Sequence, residues 1–229
     1  MLRVEFRTAT TGTMAGLASQ IASVQSIELD NAFYVEDGKW IESLTISATD
    51  PFDIEEAIGG ISGATHFFSR EVPSGPTNIH VRRVTLLANE SYPFILGLVL
   101  RAEAIPNRIV WTKDIFEVVL TTRTWEEFRG LADEIKEALG MFDLLSVNQI
   151  ESPGEPLDSG RLTEVMVTKL ANEQLETLET AYTMGYFEVP REASATDVAD
   201  ELGVAQSTMS ERLRTAERNL LEIIYGPQS

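Results

Sequence analysis

Residues 194–214 read SATDVADELGVAQSTMSERLR, and this stretch decides the architecture of the C-terminal third. Ser194 and Asp197 stand at the N-cap and N3 positions of a short helix, a capping-box-like spacing in which each satisfies the other's end of the first turn. Its apolar positions are Val198, Ala199 and Leu202. Gly203 follows at once, and a glycine there can adopt φ > 0 and turn the chain sharply. Val204 is placed to plug the corner. A second helix is predicted from about Gln206 to Ile224, with Met209, Leu213, Ala216, Leu220 and Ile223 or Ile224 on one face. Two helices, a glycine turn, a small residue (Ala199) at their crossing and an apolar plug make a helix-turn-helix. A third helix precedes it, starting near Asn172 as N-cap, carrying Leu175, Leu178, Tyr182 and Met184, and ended by Gly185.

The span 206–221 is the element that would enter a DNA major groove. Gln206, Ser207, Thr208, Glu211 and Arg212 are its N-terminal outward residues, short polar or bidentate groups of the kind that read base edges. Arg214 and Arg218 lie further round and suit phosphates. Double-stranded DNA is the expected partner, and paired half-sites imply a homodimer. The competing reading is a ligand-sensing or protein-interaction module whose C-terminal helices contact protein, such as the transcription machinery, rather than DNA.

Upstream, Ser152 to Gly160 holds prolines, glycines and small polar residues without periodicity, which reads as a linker. The expected domains are therefore residues 1–151, a linker at 152–161, and residues 162–229. The first begins with Leu2, Val4 and Phe6 alternating with charged residues, a half-buried strand. A helix over 13–27 follows, then strands at 32–35 and 40–46 around the turn Glu36-Asp37-Gly38-Lys39. Asp50 to Asp53 opens a short helix stopped by Gly59-Gly60. Strands are expected at 66–72 and 79–88, separated by a turn at 73–76, and again at 94–102, within 108–122 and at 144–150. Thr124 and Glu127 cap a helix whose apolar face is Phe128, Leu131, Ile135 and Leu139. Helices interrupting antiparallel-looking strands give an α+β domain with its helices on one face, the nearest plan being paired ferredoxin-like or ACT-like halves. An all-α helix-turn-helix domain follows it.

Composition narrows the chemistry. The chain has 229 residues, no cysteine and two histidines, so thiol catalysis, Cys-ligated zinc, iron–sulfur clusters and a multi-His metal site are excluded. Gly59-Gly60-Ile61-Ser62-Gly63 lacks the lysine of a phosphate loop. Paired acids such as Glu55-Glu56 and Glu126-Glu127 sit in first helical turns, where the dipole favours them. No catalytic residue, metal ligand or cofactor is expected, and the chain is not expected to be an enzyme. The aromatics Trp40, Phe67, Phe68, Trp111 and Phe116 could line a small-molecule pocket, against packing as the alternative. No run approaches the ~20 apolar residues of a membrane helix, and Met1 to Arg7 has no signal-peptide core. A cytoplasmic protein without a membrane partner is expected.

The net charge is −18, with 18 basic residues against 36 acidic. Of the basic residues, 14 are arginine and 4 lysine. An acidic, lysine-poor surface suits a high-salt cytoplasm, where repulsion is screened to roughly 3 Å at 1 M salt. Such a surface argues against non-specific phosphate attraction as the main source of affinity. Base-edge contacts and DNA shape would then carry specificity.

Three blocks carry a resemblance: Met184 to Ala193 (MGYFEVPREA), Val198 to Val204 (VADELGV), and Gln206-Ser207-Thr208 with Ser210 to Arg214. Together they resemble the helix-turn-helix of the haloarchaeal bacterio-opsin activator family, over roughly residues 170–225. Residues 1–158 are more distantly similar to the sensor-like domain preceding that unit, including FYVEDG at Phe33 to Gly38. The resemblance implies a transcriptional regulator of a halophilic archaeon, an activator rather than a repressor, whose N-terminal domain senses a signal or dimerises. Two positions depart from the family pattern: Leu170-Ala171 replaces a Leu-Thr pair, and Ala205 replaces a serine. Losing two hydroxyl caps would cost about 1 kcal/mol each unless Asn172 or water substitutes.

Overall fold

The computed structural model describes residues 1–72, 79–154, 156–157 and 170–225, with the side chains of 172 and 222–225 excepted. The expected turn at 73–76, the later part of the expected linker and the side chains of Ile223 and Ile224 lie outside the described residues. The chain divides into two compact units, the first drawn from Met1–Glu71 and Ile79–Arg161 and the second from Val72–Asn78 and Leu162–Ser229.

The first unit runs β1 (Leu2–Ala9), α1 (Gly12–Gln20), β2 (Val24–Glu36), β3 (Lys39–Ala48), α2 (Ile54–Gly59), β4 (Ala64–Val72), β5 (His80–Asn89), α3 (Ile95–Arg101), β6 (Ile105–Thr112), β7 (Ile115–Thr122), α4 (Trp125–Leu139) and β8 (Phe142–Gln149). The strands form one eight-stranded sheet in the order β4-β5-β3-β2-β6-β7-β1-β8. Alternation sets its two faces, since successive side chains of a strand point oppositely. Val4 and Phe6 of β1, Leu44 and Ile46 of β3, Val84 and Leu86 of β5, and Phe116 and Val118 of β7 are buried in one cluster with Leu17 of α1, Ile58 of α2, Leu98 of α3 and Phe128, Leu131 and Ile135 of α4. All four helices therefore cover the same face, the expected α+β arrangement.

The sheet order refines the expectation of paired halves. An antiparallel βαββαβ unit of ferredoxin type places its strands in the order 4-1-3-2. Here β4-β5-β3-β2 and β6-β7-β1-β8 each have that order if β1 and β5 have exchanged places. The halves meet at a short antiparallel contact, Ile27↔Trp111 and Glu28↔Val110, where Arg108 Nε lies 2.8 Å from Glu28 Oε1.

Local signals hold in several places. Asp53 caps α2, accepting from Glu55 N and Glu56 N. Thr124 Oγ1 accepts from Glu127 N at 3.2 Å, and Gly140 ends α4 at φ 79°. Asp37 and Gly38 turn β2 into β3 at φ 47° and 78°, as the Asp-Gly pair requires. A second such turn, Lys113-Asp114 at φ 49° and 63°, joins β6 to β7.

Two expectations are corrected. The helix over 13–27 stops at Gln20, because Ile21 turns extended and Val24 enters the sheet opposite Ala48. Residues 94–102 form no strand; Ile95–Arg101 is α3, with Ile95, Leu96, Leu98 and Val99 all buried. A short continuous apolar run has no period to separate a buried strand from a buried helix turn. Gly97 marks the difference. A Cβ there would meet the Phe94 ring at 2.6 Å.

Candidate nucleic-acid interface

The second unit contains, among the described residues, α5 (Asn172–Thr183), α6 (Ala195–Glu201) and α7 (Gln206–Tyr225). Its core is small: Ala181, Ala193, Val198, Ala199, Met209 and Leu213 are buried together, with Leu178, Met184, Tyr186, Leu202 and Val204 packed at the margin. Two alanines at the centre let the helices approach closely.

Each turn has a local cause. Ser194 Oγ accepts from Asp197 N at 3.3 Å, and Asp197 Oδ2 accepts from Ser194 N at 2.8 Å. That hydrogen bond holds the Asp197 carboxyl below the usual carboxylate range. At the other end of α6, Gly203 takes φ 64°, and Val204 N donates to Ala199 O at 3.0 Å. This 6→1 bond is the Schellman closure that turns α6 into α7. The segment Gly185 to Ala193 is also a built corner. Gly185 has φ 73°, its carbonyl accepts from Glu188 N and Glu192 N, and Tyr186 N donates back to Ala181 O at 2.9 Å. The Arg191 guanidinium lies 4.7 Å from the Tyr186 ring centre.

The start of α5 differs from expectation. Ala171 is the N-cap, and Asn172 is already helical. With no hydroxyl at 171, Gln174 supplies the remaining half of a capping box. Its Oε1 accepts from Ala171 N at 3.1 Å and from Asn219 Nδ2 of α7 at 3.2 Å. Tyr182 is 73% exposed and does not belong to the inner face, which Thr177, Leu178 and Ala181 form instead.

On α7, Met209, Leu213 and Ala216 are buried. At about 3.6 residues per turn, the line opposite them runs through Ser207, Glu211, Arg214 and Arg218, all exposed. Gln206 is exposed at the helix start. Thr208 and Arg212 are half-buried and fall on the flank rather than the crest, because they sit one residue before Met209 and Leu213. Arg214 has no carboxylate partner among the described residues. The outward row therefore mixes two guanidinium groups, a hydroxyl and one acid, and among the described residues only this helix of the unit presents arginines in a row.

Residues 170–222 match the HTH_10 family, described as an HTH DNA binding domain. Over 99 residues the chain is 40% identical to the transcriptional regulator NarO of Haloferax volcanii, covering 43% of this chain and 46% of that protein. A second Haloferax volcanii protein is 36% identical over 96 residues, 42% of this chain and 16% of its own length. The dimethyl sulfoxide reductase transcriptional activator of Halobacterium salinarum is 28% identical over 104 residues, 45% of this chain and 46% of that protein. The chain thus spans less than half the length of each relative. Its C-terminal segment is a helix-turn-helix domain of the bacterio-opsin activator type.

Proposed function

We propose that the chain is a sequence-specific transcriptional regulator of a halophilic archaeon, with residues 162–229 binding double-stranded DNA through α7. The observation that carries this reading is the exposed row Ser207, Glu211, Arg214 and Arg218 on a helix locked at its start by a capped and glycine-turned α6. Gln206 and Ser207 at the tip would read base edges, with Thr208 and Arg212 reaching the groove wall from the flank. Glu211 would accept from a cytosine amino group, and Arg214 and Arg218 would hold phosphates. Residues 1–151 would sense a signal and pair two copies. The reading as an activator rests on one relative's name, the dimethyl sulfoxide reductase activator.

Fluorescence anisotropy with fragments of the gene's own promoter region, in molar KCl, tests this. Saturable binding should discriminate among fragments. Arg214→Ala should weaken binding to all fragments and lower the salt slope by about 1, whereas Gln206→Ala should relax the preference among them. Unchanged specific binding in both Arg212→Ala and Arg214→Ala would overturn the placement of α7 and favour contact with protein, such as the transcription machinery.

Homodimerisation is supported by the outer edge of the sheet. β8 is its last strand, and Leu144, Leu145 and Val147 on it are exposed. Light scattering on the full chain, with Val147→Lys as the disrupting variant, distinguishes dimer from monomer.

A further inference from the structure

Glu42 lies on the inner face of β3, between Trp40 and Leu44, and is 4% exposed. Glu90, just after β5, is 7% exposed. Two carboxyl groups buried in one apolar core are costly unless each is paired or hydrogen-bonded. Glu90 Oε1 is satisfied by Thr13 N at 2.8 Å, at the start of α1. Glu90 Oε2, Glu42 Oε2 and Thr11 Oγ1 are buried with no hydrogen-bond partner among the described residues. All three side chains line one cavity of ≈ 20 Å³, walled otherwise by apolar groups such as Met14, Leu29, Phe94 and Phe116. Gly12, at φ 73°, lies directly against the Glu90 carboxylate, with which a Cβ there would clash.

The cavity shares Glu90 and Phe94 with a groove of ≈ 570 Å³. Trp40 forms the groove's floor, edge-on to Tyr34 at 5.2 Å and to Phe94 at 5.6 Å. Arg101 stands on its rim, stacked on Tyr92 at 4.2 Å and 3.8 Å from Glu134, so its charge is engaged there.

We propose that cavity and groove together bind a small organic ammonium ion, its N–H groups donating to Glu42 Oε2, Glu90 Oε2 and Thr11 Oγ1 and its apolar part lying along Trp40, Tyr34 and Phe94. The inner space holds about one water-sized group. A water offers two protons and no charge; a primary ammonium offers three protons and one positive charge against the two carboxyl groups. The aromatic faces of the groove add cation–π attraction. Burial, and then the neighbouring Glu90, push the Glu42 carboxyl up to about 8, so a cation in the cavity would drive its proton off. Among the described residues, Glu90 is the charged group that acts on Glu42. This inference gives a chemical class to the signal that the regulator reading assigns to the N-terminal unit, and rests on that reading only for its purpose.

The test uses the full chain without DNA, at constant molar NaCl and pH 8.5, with benzylammonium chloride as probe and benzyl alcohol as its uncharged match. Benzylammonium should raise Tm saturably, by ~5 °C at high occupancy, and benzyl alcohol should not. The shift should shrink at pH 6, vanish in Glu42→Gln and weaken in Trp40→Leu; circular dichroism establishes that both variants fold. Equal shifts with benzyl alcohol, a shift retained in Glu42→Gln, or no shift at any concentration would overturn the proposal. So would a saturable, Glu42-dependent shift given by KCl in place of benzylammonium, which would assign the site to an inorganic cation. Anisotropy on promoter DNA, run separately, keeps the readings apart. DNA binding without a probe shift sinks only the ammonium site, and a probe shift without DNA binding sinks only the regulator.

Discussion

Gln174 on α5 and Asn219 on α7 are joined at 3.2 Å, and the same Gln174 oxygen also accepts from Ala171 N. One side chain thus caps α5 and ties it to the helix proposed to enter DNA. Gln174→Ala should lower the stability of the second unit by about 1–2 kcal/mol, since it leaves two donors to water or unpaired. Ala171→Ser should act oppositely, raising it by about 1 kcal/mol by restoring the missing half of the capping box. Urea midpoints of the two variants check both signs.

The two glycine turns of the second unit should not tolerate alanine equally. Gly203 has φ 64° with open space where a Cβ would stand, so Gly203→Ala costs only the left-handed conformation, about 1–2 kcal/mol. Gly185 has φ 73°, and its Cβ would lie 2.8 Å from Glu192 Cβ. Gly185→Ala should therefore cost more, displace the corner from Gly185 to Ala193 and lower Tm further. Equal melting temperatures would contradict the packing described at Gly185.

Ala199 is 1% exposed where α6 meets α7. Ala199→Leu adds three carbons to a core with no room for them. It should cost about 1–3 kcal/mol and weaken DNA binding by changing how α7 is held. A binding loss without a stability loss would contradict the packing described at this position.

The Glu42 carboxyl titrates near 8 in the folded chain against 4.5 for its ordinary value. The folded state then holds a proton that the unfolded state releases over this window, so stability is greatest below it and falls as pH rises towards 8. The slope from this one group is about 1.4 kcal/mol per pH unit. Without any probe, Glu42→Gln should flatten the loss between about pH 5 and pH 8, read from denaturant midpoints at both. Parallel curves for wild type and variant would place the titration elsewhere.

Much of the architecture is written in local chemistry. The turn at Gly203, the cap at Ser194 and the alternation of β1 depend on neighbours within a few residues, so they can be read directly. The segment Phe94 to Ala102 could not be, since seven residues of unbroken apolar character fit strand or helix. Thr208 and Arg212 depart from the expected outward facing because the inward line of α7 is fixed by Met209 and Leu213, which tilts these two towards the flank. The position of Glu42 is legible in the alternation of Trp40, Glu42, Leu44 and Ile46, which puts the acid on the apolar face. Its partner Glu90 lies 48 positions further on, and no spacing rule links them. Only the antiparallel pairing of β3 with β5 brings that distant part of the chain alongside.

The exchange of β1 and β5 between the two half-sheets also sets the order of assembly. β1 fits between β7 and β8, pairing Val4 with Leu120 on one side and with Val147 on the other. During synthesis it leaves the ribosome before every other strand of the sheet, and both its neighbours come more than 100 residues later. Val4 and Phe6 have no native strand partner until those segments emerge. Such long-range closure slows folding, and it ties the completion of this domain to the emergence of β8. A chain halted before residue 142 would lack one partner for its first strand and could not finish the sheet.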